Sequence, residues 1–416
     1  MSTSLKPDRR ALLKSVVYLS LASAVPGYAC AAMVDGGPLP PRRDGEMDIH
    51  HIDTGRGNCT LVIAPDGTSI MIDAGASAAA LETSGEPRPS AAMRPGQWQA
   101  RYAQRQIPSG KLDYLVVTHI HPDHIGDVTA QSPKSSLGSF RLTGVTDVDS
   151  LIPVTTVIDR AFPDFGDTQP AASPFAGNYL AFLQHRVATG KMVEAAIIGS
   201  DKQIRSQHPS SFNVRVLGAS GRVWTGQGEA STTQRPALAT LAPADQPSEN
   251  FYSMALRFSY GKFSYFHGGD QICDTHDGRL PWLDIETPVA RVAGRTEVAA
   301  ANHHGYFDAC GPEFVRALDA KAYVIQSWDV GHPGSAQLQR LLGAWSGGAT
   351  HDVFATDMLP ANELINRRFV PLLKSRRGHV VVRVAPGGDT YKIYVLDSSI
   401  EDGNISAGFG PYQCRA

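Results

Sequence analysis

The chain has 416 residues, 42% apolar and 19% charged, a balance usual for a folded, secreted-type globular protein with ample material for a core. The 38 Lys and Arg stand against 40 Asp and Glu, giving a net charge of −2, and no run of Lys or Arg stands out. A sequence-built basic track for nucleic acid is therefore excluded, while length alone allows one large domain or a few small ones.

The N-terminus reads as an address. Asp8-Arg9-Arg10-Ala11-Leu12-Leu13-Lys14 resembles a twin-arginine export signal, followed by an apolar stretch from Val16 to Val25 and the small residues Ala29-Cys30-Ala31 of a cleavage site. The apolar stretch is too short for a transmembrane anchor. The expectation is an export signal over 1–32, a Pro/Gly-rich linker over 33–45 and delivery to the periplasm or medium. Of the five cysteines, Cys30 falls in the signal. Cys59, Cys273, Cys310 and Cys414 remain, an even set that permits one or two disulfides in an oxidising compartment. No CxxC occurs, so a thiolate zinc site is not indicated.

Strand-like runs follow at Met47–Asp53, Thr60–Ala64 and Ser69–Asp73, the last two separated by the turn Pro65-Asp66-Gly67, whose Gly accepts positive φ. Residues 91–107 are loosely helical. Leu112–Thr118 is apolar and β-branched, a buried strand that delivers the chain into His119. Signals weaken over about 129–250, where a helix near Asn178–Thr189 and a strand near Asn213–Leu217 stand among Pro-, Ser- and Gly-rich connections. This stretch reads as an insertion bordering a substrate cleft. Strands are expected again at Phe251–Tyr260 and Lys262–Phe266, hinged at Gly261, and at Glu297–Ala301 and Ala322–Ser327, with a helix at Pro312–Leu318 and a closing hairpin over 377–395. The pattern implies one α/β domain over 46–400, an αββα sandwich with a long insertion between its halves and a C-terminal tail over 401–416.

The most informative segment is Thr118-His119-Ile120-His121-Pro122-Asp123-His124, with three His and one Asp in six residues from 119 to 124. Residues i and i+2 leaving a strand point to one side, so His119 and His121 can converge on one ion. Pro122 turns the chain, and Asp123 and His124 at the head of a helix can face a second ion. Neutral imidazole and carboxylate suit zinc-like cations.

This HxHxDH run resembles the hallmark of the metallo-β-lactamase superfamily. Other elements, in order, resemble the branch related to the extracytoplasmic hydrolase domain of competence-type DNA-internalisation proteins. They are His51-Ile52-Asp53-Thr54-Gly55-Arg56-Gly57-Asn58, Pro65-Asp66-Gly67, Met71-Ile72-Asp73-Ala74-Gly75, Glu249-Asn250-Phe251-Tyr252-Ser253-Met254-Ala255-Leu256, Gly269-Asp270, His303-His304-Gly305 and Gly331-His332-Pro333. The resemblance spans about 47–395 apart from the insertion. It implies that His119 and His121 bind a first metal, that Asp123 and His124 bind a second, and that Asp270 bridges both. One His of the pair completes the second site, with His303 favoured and His304 given an outer or acid role. Asp73 orients a ligand His from behind, and His332 lies near the cleft. Many members supply a third His to the first metal shortly before the bridging Asp. Here Glu249 and Asn250 stand in that region, so the first site is weakly held, completed by another group, or absent. His185, His208, His267 and His276 are the remaining histidines weighed for it.

The expected cofactor is zinc, two ions, with manganese or iron as alternatives. The expected chemistry is hydrolysis by a hydroxide generated between the metals, with Asp123 and His304 as catalytic groups. A phosphoester substrate is the first reading. An acyl (lactam or lactone) substrate is the second, and a non-enzymatic module with a partly degenerate site the third. No G-x-S-x-G nucleophile signature is present. The oligomeric state is left open.

Overall fold

The computed structural model describes residues 36–80, 82–206, 211–345 and 348–415. The segment expected as an export signal, Cys30 and His208 lie outside them. The first sheet takes β1 (Met47–His51), β2 (Thr60–Ile63), β3 (Ser69–Ile72), β4 (Leu112–Val116), β5 (Val154–Asp159) and β6 (Met192–Ala195). The second takes β7 (Phe212–Ala219), β8 (Arg222–Trp224), β9 (Ser231–Thr233), β10 (Ala255–Tyr260), β11 (Phe263–His267), β12 (Val298–Ala300), β13 (Ala322–Ile325) and β14 (Asp352–Ala355). The chain then returns to the first sheet with β15 (His379–Val384), β16 (Thr390–Leu396) and β17 (Ile405–Gln413). The first sheet runs β17-β16-β15-β1-β2-β3-β4-β5-β6 and the second β14-β13-β12-β11-β10-β7-β8-β9.

Both sheets are mixed, antiparallel wherever a hairpin joins neighbours. Pairs β1/β2 and β10/β11 are antiparallel, whereas β3/β4 and β12/β13 are parallel with longer segments between them. Ile49, Val62, Ile72 and Val382 of the first sheet meet Val214, Leu256, Tyr265 and Val324 of the second in one buried cluster. The outer face of the first sheet is covered by α1 (Pro95–Gln106), α3 (Gly144–Leu151) and α4 (Pro174–Ala188), after the single turn α2 (Pro122–Ile125). The outer face of the second is covered by α5 (Glu286–Ala293), α6 (Pro312–Leu318) and α7 (Ser335–Leu342), ahead of the short α8 (Pro360–Ile365). Both sheets are thus apolar on both faces, which is why β2, β3 and β13 are buried along their whole length. The result is an αββα sandwich.

The expected runs at β1 to β4, β10 to β13, α6 and β15/β16 coincide with observed elements, mostly trimmed by one to three residues at the ends. The 129–250 stretch lies between the halves in sequence and is also woven into both sheets, with β5 and β6 extending the first and β7 to β9 the second. Of its strands, the expected run near Asn213–Leu217 coincides with β7, whereas β6, β8 and β9 have only three or four residues and show no periodicity. The 401–416 tail likewise contains β17, the outermost strand of the first sheet. Cys59, Cys273, Cys310 and Cys414 are all free, so the permitted disulfides do not form. Among the described residues no helix is long and apolar enough to cross a membrane.

Candidate metal centre

The site grows from the ends of β3, β4, β11 and β12. Asp73 follows β3 in a left-handed conformation (φ 60°) and is fully buried. It accepts from the Thr118 amide and hydroxyl, both at 2.7 Å, and from His124 Nδ1 at 2.7 Å. One carboxylate therefore fixes the exit of β4 and the tautomer of His124, leaving Nε2 bare toward the centre. The glycine of the preceding motif has its own reason. A Cβ on Gly75 would lie 1.8 Å from the Asp123 carbonyl oxygen, which accepts from the Asn58 amide at 2.7 Å. Only glycine lets the β3 exit pass so close to the ligand turn.

From the second half, Asp270 follows β11 and its amide donates to Ser253 Oγ at 3.1 Å. The loop after β12 places His303, His304 and Gly305 in succession in left-handed conformations (φ 44°, 53° and 71°). For two bulky residues this is a strained backbone, and the surroundings must hold it. Buried Glu286 does so, accepting from Asn302 Nδ2, the Cys310 amide and the Gly311 amide at 2.9, 2.8 and 2.7 Å. Burial nevertheless pushes its carboxyl up to about 8.

Asp123, His124, Asp270 and His304 converge. One ligand atom from each lies within 4.8 Å of all the others. His124 Nε2 is 3.1 Å from Asp270 Oδ2, and His304 Nε2 is 3.0 Å from Asp123 Oδ2 and 3.5 Å from Asp270 Oδ2. His304 Nδ1 donates to the Gln326 carbonyl at 2.9 Å, which aims Nε2 inward as Asp73 does for His124. Burial opposes charge on His124 and His304, yet the surrounding carboxylates, Asp270 first, raise both, His304 to about 9. Asp123 and Asp270 are held well below the usual carboxylate range: burial raises them, but the neighbouring imidazoles prevail.

His119 and His121 stand beside this cluster, with Nε2 and Nδ1 3.1 Å apart and His119 Nε2 3.8 Å from Asp270 Oδ2. Burial lowers both, so they are neutral imidazoles. His303 Nε2 is 3.8 Å from Asp270 Oδ2, and its Nδ1 is bound to Asp308 at 2.6 Å. Thus His304, rather than the favoured His303, is the histidine of the pair within the tight cluster. His332 is buried and stacked on His304, with ring centroids 4.7 Å apart. His267 is buried at the end of β11, His185 packs against Phe140, and His276 stands in a surface turn. None of the three joins the described cluster.

The donor set fits a zinc-like cation. Bare imidazole nitrogens and carboxylates meet in a buried space, and His124 Nε2 and Asp270 Oδ1 have no hydrogen-bond partner. Orphaned polar atoms are costly, and a cation is what this pair lacks.

Sequence reasoning missed Glu286, which carries no local signal, and Asp308, whose only signal is an acid five residues after a loop histidine. It also missed Arg160, at the end of β5. Arg160 is buried and grips Glu249 with two bonds, at 2.7 and 3.0 Å. Glu249 in turn accepts from the Ile120 amide, between His119 and His121, at 3.1 Å. Arg160 also lines a cleft of about 620 Å³ with Phe165, Ser220, Arg222 and Arg235. None of the cluster residues lines that cleft; Arg160, on its wall, holds Glu249, which in turn accepts from the Ile120 amide.

Two similar solved structures are the metallo-beta-lactamase fold protein YhfI from Bacillus subtilis and a metallo beta lactamase from Hirschia baltica. The first is 13% identical, covering 83% of this chain and 98% of the other, with a TM-score of 0.36. The second is 12% identical, covering 64% and 84%, with a TM-score of 0.25. Among curated proteins there is no significant match. Residues 52–130, which carry Asp73 and the whole ligand run, match the family model of the metallo-beta-lactamase superfamily, and the two-sheet sandwich is consistent with that fold.

Proposed function

We propose that the protein is a metal-dependent hydrolase, acting on a phosphoester. The observation that carries this reading is the convergence of Asp123, His124, Asp270 and His304 from three separated parts of the sequence. In it, Asp123, His124, Asp270 and His304 hold a cation, and His119 and His121 serve a second. Zinc is the expected metal, with manganese or iron as alternatives. When bound, such cations lower the pKa of water and polarise the bond to be cleaved. The chain's own residues do the rest. Asp73 and Gln326 keep His124 and His304 aimed inward, and Trp328 and His332 cover His304 from water. Asp123 is the most accessible of the four, with 15% side-chain exposure against 2% or less, so it is the group that water and substrate reach. In this reading it is the catalytic carboxylate that orients water by accepting its hydrogen bond.

A phosphoester is favoured over an acyl substrate by the ordered motifs of the DNA-internalisation branch and by the absence of a third His near Glu249. The substrate enters through the 129–250 region, which lines the cleft at Arg160. Zinc- or manganese-loaded protein, assayed on a chromogenic phosphodiester and in parallel on a chromogenic β-lactam, tests this. Hydrolysis of the diester that disappears with Asp270→Ala is expected, and turnover of the lactam alone would overturn it. Export is a further part of the reading. Replacing Arg9 and Arg10 with Lys is expected to retain the protein in the cytoplasm, measured by cell fractionation.

A further inference from the structure

The His119/His121 side of the centre lacks the third histidine, yet it is not short of donors. His303 Nδ1 gives its hydrogen to Asp308 Oδ1 at 2.6 Å, because a carboxylate can only accept. In the neutral tautomer its Nε2 is a lone pair, to which Asn250 Nδ2 donates at 3.2 Å. That leaves Asn250 Oδ1 buried with no hydrogen-bond partner, in a residue only 7% exposed. A half-turn of the amide exchanges oxygen for nitrogen and brings an oxygen and an imidazole nitrogen to the same spot.

The opposite side is built in the same way. Thr118 Oγ1 spends its hydrogen on Asp73 Oδ2, so toward His119 Nδ1, 3.2 Å away, it accepts. His119 Nε2 is then bare and 3.1 Å from His121 Nδ1. Asp270 Oδ2 stands between the two sides, 3.8 Å from both His119 Nε2 and His303 Nε2. Ligands about 2.1 Å from a tetrahedral zinc are about 3.4 Å from one another, close to these spacings.

We propose that Asn250 and His303 together replace the missing third histidine, so that a second cation is held by His119, His121, His303 and the Asn250 amide oxygen against Asp270. This rests on the metal-binding reading above and reassigns His303 from the tight cluster to the other ion. The set is looser than the four-residue cluster, so its cation is the weaker-bound.

The test is metal stoichiometry and affinity on the full chain, stripped by chelation and titrated with cobalt(II). Calorimetry and the visible spectrum give affinity, and elemental analysis gives stoichiometry after zinc loading. Wild type is expected to bind two ions of unequal affinity. His303→Ala and Asn250→Leu should keep the tight ion and weaken the other by about tenfold or more. Asn250→Asp, which restores an oxygen donor, should retain both. His304→Ala should lose the tight ion first. Two ions with unchanged affinities in His303→Ala and Asn250→Leu would overturn the inference alone. So would a single wild-type ion that survives both substitutions. A wild type that binds no cation would instead overturn the hydrolase reading on which the inference rests.

Discussion

The two halves of the centre solve the same problem differently. In the first half, His119, His121, Asp123 and His124 come from one short run leaving β4, and a single buried carboxylate, Asp73, secures both that exit and a ligand imidazole. In the second half, Asp270 and the 303–304 pair come from separate loops. There Glu286 clamps the loop backbone at three points, while Asp308 and Gln326 orient one imidazole each. A compact ligand run needs one anchor, whereas dispersed ligands need a network.

The comparison can be broken at the residue both halves share. Asp270→Ala removes the carboxylate between them and should abolish tight cation binding, with activity falling more than about a hundredfold. Retention of two ions by elemental analysis would refute a shared centre. Next, Asp73→Asn leaves the shape intact but removes the acceptor that fixes His124. Cation affinity should drop about 10- to 100-fold by calorimetric titration. An unchanged affinity would mean that the first half does not depend on its one anchor.

Glu286→Gln touches no ligand directly. Above about pH 8, where the carboxyl is ionised, an amide cannot replace it as acceptor for all three donors, so denaturant unfolding there should show a loss of about 1–3 kcal/mol. The effect on cation affinity should be smaller than that of Asp73→Asn. The reverse order would erase the distinction drawn between the halves.

The same residue also governs a pH dependence. Burial raises the Glu286 carboxyl from its ordinary 4.5 to about 8, so the folded chain holds this proton more tightly than the unfolded chain does. The stability it contributes is complete below about 4.5 and is lost as pH rises through about 8. Denaturant melts of metal-free protein should decline over that window, and Glu286→Gln should flatten the decline. An equal slope in both proteins would assign the dependence to other groups, such as Asp53, which burial and nearby Asp357 raise to about 7.

The same asymmetry decided what could be read from the sequence. The 119–124 run, Asp73-Ala74-Gly75 and the strand β4 that feeds them are contiguous, so local spacing revealed them. Asp270 was legible only through its place in an ordered set of motifs. The choice between His303 and His304 was not legible, because it depends on two successive left-handed residues and on partners at 308 and 326. Arg160 was hidden for another reason. Its value lies in a contact with Glu249, 89 positions away in the chain, and no periodicity encodes such a pairing. In the 129–250 stretch β7 was legible, but β6, β8 and β9 were not, because they have only three or four residues each.

Strand β1 lies mid-sheet between β2 and β15, with Met47 opposite Val384 and His51 opposite Val380. Until residues near 380 have left the ribosome, β1 can offer only an open edge on that side, because the β15-β16-β17 flank that covers it is not yet made. The first half of the centre is thus made early and finished last. A nascent chain stalled before that point would carry every first-half ligand on an incomplete sheet.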